Sequence, residues 1–187
     1  MERRRDDLVR AIGVPTTFRH VRLSTVQPTT AVAAVRKYYH AHAWKRAASE
    51  ALILAGPTGT GKAVASVALI SELLVDLGAS QRFVIASALA RRLMDFHQVD
   101  EAMASVTQIR MLVIDDLADL EPRGLALVEE VLIVRHAEDL PVVITTNLTP
   151  TRLAEMFSDR INDRLRAWGQ VVECRGGSLR KRPEPTT

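Results

Sequence analysis

The stretch Gly56-Pro57-Thr58-Gly59-Thr60-Gly61-Lys62-Ala63 constrains this chain more than any other, because of what stands on either side of it. Before it, Ala51–Ala55 is a continuous apolar run, the mark of a strand buried on both faces. After it, apolar residues recur at helical spacing from Lys62 to Leu77, and Gly78 closes the segment. A glycine-rich turn between a buried strand and a helix lets successive backbone N–H groups face inward. Together with the positive end of the helix they bind a polyphosphate. Lys62 adds a mobile point charge, in a chain that has 21 arginines against 4 lysines. This is the context a Walker A loop requires, so ATP with Mg²⁺ is the expected ligand. The loop normally ends in Ser or Thr, whose hydroxyl is a ligand for Mg²⁺. Ala63 has no hydroxyl; a water would take its place, and the cation is expected to be held less well.

The rest of the chain alternates in the same way. Phe83–Ala86, Met111–Ile114, Val142–Thr145 and Val171–Cys174 are further apolar runs. Between them lie helical stretches at Ser87–His97, up to Thr107, Gly124–His136 and after Thr149-Pro150, where Pro stands at a favoured first helical position. Buried strands alternating with helices imply a mostly parallel five-stranded sheet covered on both faces, a three-layer α/β/α P-loop NTPase. Residues 1–30 read as a short lead-in, 31–180 as the ATPase domain and 181–187 as a disordered tail. A helix is expected from Thr30 to about Ala48, with Val32, Val35, Tyr39 and Trp44 on one face.

The run Met111–Ile114 ends in Asp115-Asp116, the place of a Walker B pair. Asp115 would hold the hydrated Mg²⁺. Asp116 would orient the attacking water, one methylene short of the more usual glutamate. The Val142–Thr145 run leads into Thr146 and Asn147, which either reaches the γ-phosphate or serves as a turn former. Arg160 and Arg164 lie four apart on one helix face. They either pair with Asp159 and Asp163 or project into a neighbouring subunit as arginine fingers.

Composition narrows the remaining classes. The net charge is only +3, with 47% apolar and 25% charged residues, and no uncharged apolar run approaches the roughly 18 residues that span a bilayer. No secretory signal follows the first residues, so the cytoplasm is the expected location. Cys174 is alone, which excludes an internal disulfide; it is expected to be a buried small hydrophobe. Arg3, Arg4, Arg5 and Arg10 crowd one end, and Arg175, Arg180, Lys181 and Arg182 the other; these are either solvated ends or phosphate contacts. His40 and His42 face different sides of a helix, which does not make a metal site.

In order and spacing, Gly13-Val14-Pro15, Phe18, Gly56–Ala63, Leu112–Asp116, Thr145–Asn147, Asp159–Leu165 and Gly177-Ser178-Leu179-Arg180 resemble the AAA+ ATPases of the DnaC/IstB group. That group contains replicative helicase loaders and transposition helper ATPases. The resemblance covers nearly the whole chain and implies an AAA+ module without a separate lid domain. It also implies Asn147 as sensor 1, Arg160 or Arg164 as arginine finger, and Arg180 as a further basic position. The family's extra helices, which face single-stranded DNA, correspond to Ser87–Ile109. Arg91 and Arg92 would there contact DNA, although Leu89, Leu93 and Phe96 also fit simple packing. Implied partners are DNA, a replicative helicase or transposase, and further copies of the chain in an ATP-dependent homo-oligomer. Two alternatives stand beside this: a nucleotide-dependent assembly switch with little turnover, motivated by Ala63 and Asp116, and a P-loop small-molecule kinase.

Overall fold

Each of the five apolar runs falls in one strand of a single sheet, although the second and fifth strands start two residues earlier than expected and leave out Ala86 and Cys174. The computed structural model describes residues 2–42, 50–78 and 80–179. Its strands are β1 (Ala51–Ala55), β2 (Gln81–Ile85), β3 (Met111–Asp115), β4 (Val142–Thr146) and β5 (Gly169–Glu173). Their order is β2-β3-β4-β1-β5, and every pairing is parallel. Parallel neighbours need crossovers, and helices supply them. They are α1 (Glu2–Ala11), α2 (Thr30–His42), α3 (Lys62–Glu72), α4 (Leu74–Leu77), α5 (Ala86–Met94), α6 (Val99–Thr107), α7 (Pro122–Ala137), α8 (Pro150–Met156) and α9 (Asp159–Trp168).

Successive side chains of a strand point to opposite faces, and both faces of β1, β3 and β4 are sealed, whereas the edge strand β5 is largely exposed. Leu52 and Leu54 of β1 join a core completed by α1 to α4, whereas Ala51 and Ile53 join one completed by α5 to α9. The three-layer α/β/α architecture expected from the sequence is therefore the one observed. Local signals also hold. Thr149 caps α8 by accepting the Arg152 N–H at 3.3 Å, with Pro150 opening the helix. Gly78 ends the α3–α4 segment with φ 54.

The lead-in is more structured than its pattern suggests. Val9 of α1, with Ile12, Val14, Val21 and Leu23, is buried in the first core. The Phe83 N–H of the edge strand β2 donates to the Ile12 carbonyl at 2.7 Å, so the lead-in closes part of that edge. On α2 the buried tyrosine is Tyr38, 3% exposed and donating its hydroxyl to the Glu50 carbonyl at 2.8 Å. Tyr39, which the sequence pattern places on the apolar face, stays half-buried, because the face runs three residues on from Val35 rather than four. Trp44, Arg180, Lys181, Arg182 and the expected tail lie outside the described residues, as do the side chains of Arg3, Arg4 and His42.

At the N-terminal end of the strands the sheet is pinned by Arg135 of α7, which is fully buried. Its guanidinium donates to four carbonyls: Val106 at 2.5 Å, Ile109 at 3.2 Å, Arg110 at 3.1 Å and Pro141 at 2.6 Å. One side chain thus joins the end of α6 to the starts of β3 and β4. Among the described residues no helix is long and apolar enough to cross a membrane.

Candidate functional site

Because all five strands run the same way, everything that follows a strand emerges at one end of the sheet, and the polar residues of the chain gather there. Gly56 leaves β1 at φ 129, so close to the segment after β5 that a Cβ would lie 2.5 Å from the Cys174 carbonyl oxygen. Gly59, at φ 89, leaves no room for a Cβ beside the Ser178 side chain. The Leu179 N–H donates to the Gly59 carbonyl at 2.9 Å, so residues 174–179 lie across the loop like a strap. Gly61 then opens α3, whose first residue is Lys62.

Lys62 is 8% exposed and folded back on its own loop. Its Nζ donates to the Gly56 carbonyl at 2.6 Å, the Pro57 carbonyl at 2.7 Å and Thr60 Oγ1 at 3.3 Å. Burial lowers its pKa, while Cys174, Asp115 and Asp116 oppose that shift. Neutral carbonyls and distant carboxylates leave the charge incompletely compensated, and an arriving phosphate would compensate it. Cys174 itself is buried, as expected, and burial raises its thiol pKa.

The two acids are arranged by Thr145, which the sequence marks as part of the Thr145–Asn147 motif without assigning it a role. Thr145, near the end of β4, donates its hydroxyl to Asp115 Oδ1 at 2.6 Å and accepts the Asp116 N–H at 3.0 Å. Its carbonyl accepts the Leu117 N–H at 2.8 Å. These three bonds bridge the β3 and β4 ends and accompany a left-handed Asp116, φ 58, that carries its carboxylate into the cleft. Burial raises the Asp115 pKa, against the lowering effect of the Thr145 bond and of Lys62. The hydroxyl of the next residue, Thr146, accepts the Leu148 N–H at 3.1 Å and so shapes the turn that presents Asn147.

Together these groups line a cleft of about 650 Å³. Thr58, Gly59, Gly61, Lys62, Ala63, Asp115, Asp116 and Asn147 form its polar end. Phe18, Val26, Thr29, Val32, Val64 and Leu179 supply a wall that is largely apolar and suited to a base, with Thr29 and Leu179 adjoining Gly61. Of that wall only Phe18 and Leu179 fall within the motifs read from the sequence. Thr29 is held there as the cap of α2, accepting the Val32 N–H at 3.1 Å. For a divalent cation, the donor set fits with one carboxylate: Asp115 has one oxygen engaged by Thr145 and a charge that burial disfavours. Ala63 offers no oxygen, so phosphates and water would supply the remaining ligands.

The other expected residues stand apart. Arg160 and Arg164 lie on α9 and do not line the cleft. Arg160 is exposed, and Arg164 Nη1 donates to the Arg160 carbonyl at 2.9 Å. Among the described residues neither pairs with Asp159 or Asp163. On α5, Arg91 is exposed and Arg92 pairs with Glu101 at 3.4 Å.

Comparison with known proteins agrees with this geometry. Among solved structures the chain is similar to DnaI, with a TM-score of 0.78 and 21% identity over 95% of this chain and 100% of that one. It is similar to the DnaC helicase loader, at 0.73 and 19% over 86% and 100% respectively. The replication initiator DnaA bound to AMPPCP and single-stranded DNA gives 0.70 and 17%, over 88% of this chain and 52% of that one. At these identities the likeness is one of fold. Among curated proteins there is no significant match. The family model for IstB-like ATP binding proteins, however, matches residues 28–186, from the base wall of the cleft through the P-loop and both acids to the strap. The chain belongs to the IstB-like ATP-binding protein family, with an AAA+ P-loop fold.

Proposed function

We propose that this ATP-binding protein is an ATP-driven assembly factor that assists DNA replication or transposition, as a helicase loader or helper ATPase does. The observation that carries the reading is the convergence of Lys62, Asp115, Asp116 and Asn147 on one cleft. Gly56 to Ala63 bind the phosphates, with Lys62 moving from its loop carbonyls to the β- and γ-phosphates. Asp115 holds the hydration shell of Mg²⁺, which neutralises phosphate charge when bound. Asp116 and Asn147 orient the attacking water. Arg160 and Arg164, outside the cleft of their own chain, act as fingers in the cleft of a second copy, which makes the homo-oligomer ATP-dependent. DNA as a partner is supported by the DnaC neighbour being a helicase loader and by the DnaA neighbour having been solved with single-stranded DNA. A helicase or transposase is the corresponding protein partner, and the cytoplasm the corresponding location.

Ala63 favours a second reading of the same site, an assembly switch that binds ATP and turns it over little. Steady-state ATP turnover across a Mg²⁺ titration, in wild type and Ala63→Thr, separates the two. Slow Mg²⁺-dependent turnover that rises several-fold in Ala63→Thr is the expected result. ATP binding without turnover in either protein leaves the switch. Phosphate transfer to a small acceptor would point instead to a kinase.

A further inference from the structure

A second concentration of charge lies away from the polar end of the cleft, on the lead-in. Arg5 Nη1 and Arg22 Nη1 both donate to the Arg19 carbonyl oxygen, at 3.5 and 3.0 Å. Two guanidinium groups are thereby held side by side on one neutral acceptor. Arg22 Nη1 also reaches the Val21 carbonyl at 3.0 Å, Arg19 Nε the Val14 carbonyl at 3.5 Å, and Arg36 Nη2 the Leu23 carbonyl at 2.8 Å. Among the described residues none of these four arginines forms an ion pair with a carboxylate. Carbonyls fix the position of a guanidinium without neutralising it, so these charges are left without a direct carboxylate partner among the described residues. Lys37, exposed beside Arg36 on α2, extends the patch.

We infer that Arg5, Arg19, Arg22 and Arg36 form a docking surface for the phosphodiester backbone of DNA. It lies on the α1–α2 face of the sheet, opposite the face that carries Arg91 and Arg92. Arg5 Nη2 is buried without a partner, so Arg5 adds charge to the patch, while the guanidinium groups of Arg19, Arg22 and Arg36 keep further N–H donors for bidentate contact with phosphate oxygens. A protein partner would need apolar anchors at the centre of the patch. The exposed large apolar residues among those described are Ile85, Phe96, Val171 and Leu179, and none lies on the lead-in or α2. A surface that is charged, polar and without such anchors matches a nucleic-acid interface. The patch is also mechanically joined to the nucleotide site. Phe18, immediately before Arg19, and Val32, one turn before Arg36, both line the cleft. The same segment thus carries the base wall on one side and the arginines on the other.

This inference rests on the reading of the chain as a DNA-associated protein, and the test keeps the two apart. Binding of fluorescently labelled single-stranded and duplex DNA to the full chain is measured by anisotropy over a range of salt, with and without ATP. Arg22→Gln/Arg36→Gln is expected to weaken binding about tenfold and to flatten the dependence on log salt by about 2. Lys37→Glu, at an exposed position outside the carbonyl bonds, is expected to weaken it as well and guards against a folding defect in the double variant. Binding of a fluorescent ATP analogue reports on the fold of each variant. Unchanged DNA affinity and salt slope in the Gln pair and in Lys37→Glu overturn the patch but not the DNA reading. A wild type that binds no DNA in any condition overturns both.

Discussion

Lys62 and Arg135 are both buried cations ringed by backbone carbonyl oxygens, one at each end of the same sheet, and they differ in what else is within reach. Arg135 spends both terminal nitrogens on four carbonyls from the ends of three elements and does not line the cleft. Lys62 also sits among carbonyls, but on a cleft of about 650 Å³ that two carboxylates line as well. Burial lowers the pKa of each, since desolvation disfavours a charge whatever its purpose. Burial and hydrogen bonding therefore do not separate a structural cation from a functional one. The open space next to it does, because only there can the partners be exchanged.

The sharpest break of this comparison is Arg135→Met. Four carbonyls would lose their donor in the interior, each costing on the order of 1 kcal/mol or more, so a loss of about 4 kcal/mol is expected in urea unfolding. A loss below about 1 kcal/mol would mean that water replaces the side chain. Lys62→Ala should do the reverse. Stability should change by less than about 1 kcal/mol, since a desolvated charge disappears with its bonds, while ATP affinity measured calorimetrically falls about 100-fold. Thr145→Val tests the arrangement of the acids. Turnover should drop about tenfold or more with ATP affinity nearly unchanged, and Thr145→Ser should keep most of it. Equal loss in both variants would count against the hydroxyl.

The smallest effect concerns Asp115. Its folded pKa is raised above the unfolded one, chiefly by burial, so the folded chain binds more protons than the unfolded chain between the two values. Its stabilising contribution is complete below the unfolded pKa and is lost as pH rises through the folded one. Asp115→Asn should therefore melt slightly higher than wild type at neutral pH without nucleotide, and the difference should shrink in acid. A lower melting temperature at neutral pH would mean that Asp115 is stabilising as an anion.

The strands were readable because a strand buried on both faces has to be apolar throughout, and Ala51–Ala55 and Met111–Ile114 are. The P-loop and the acid pair were readable because backbone geometry and charge restrict those positions to few residue types. Other features carry no such signature. Helix α1 is mostly charged, and its docking depends on Val9, Ile12 and Val14, three apolar residues too few to set a period. Thr145 looks like any β-branched strand residue until β3 is beside it. Arg135 sits on a helix whose sequence suggests a solvated polar side, and only the convergence of three chain segments identifies what it holds. The base wall of the cleft is built from Val26, Thr29 and Val32, residues remote in sequence from the P-loop they face.

The strap from Cys174 to Leu179 has a topological result of its own. Because Leu179 is bonded to Gly59 and touches the cleft, the segment after the last strand returns to the turn after the first, so the P-loop is held by chain from both ends of the sequence.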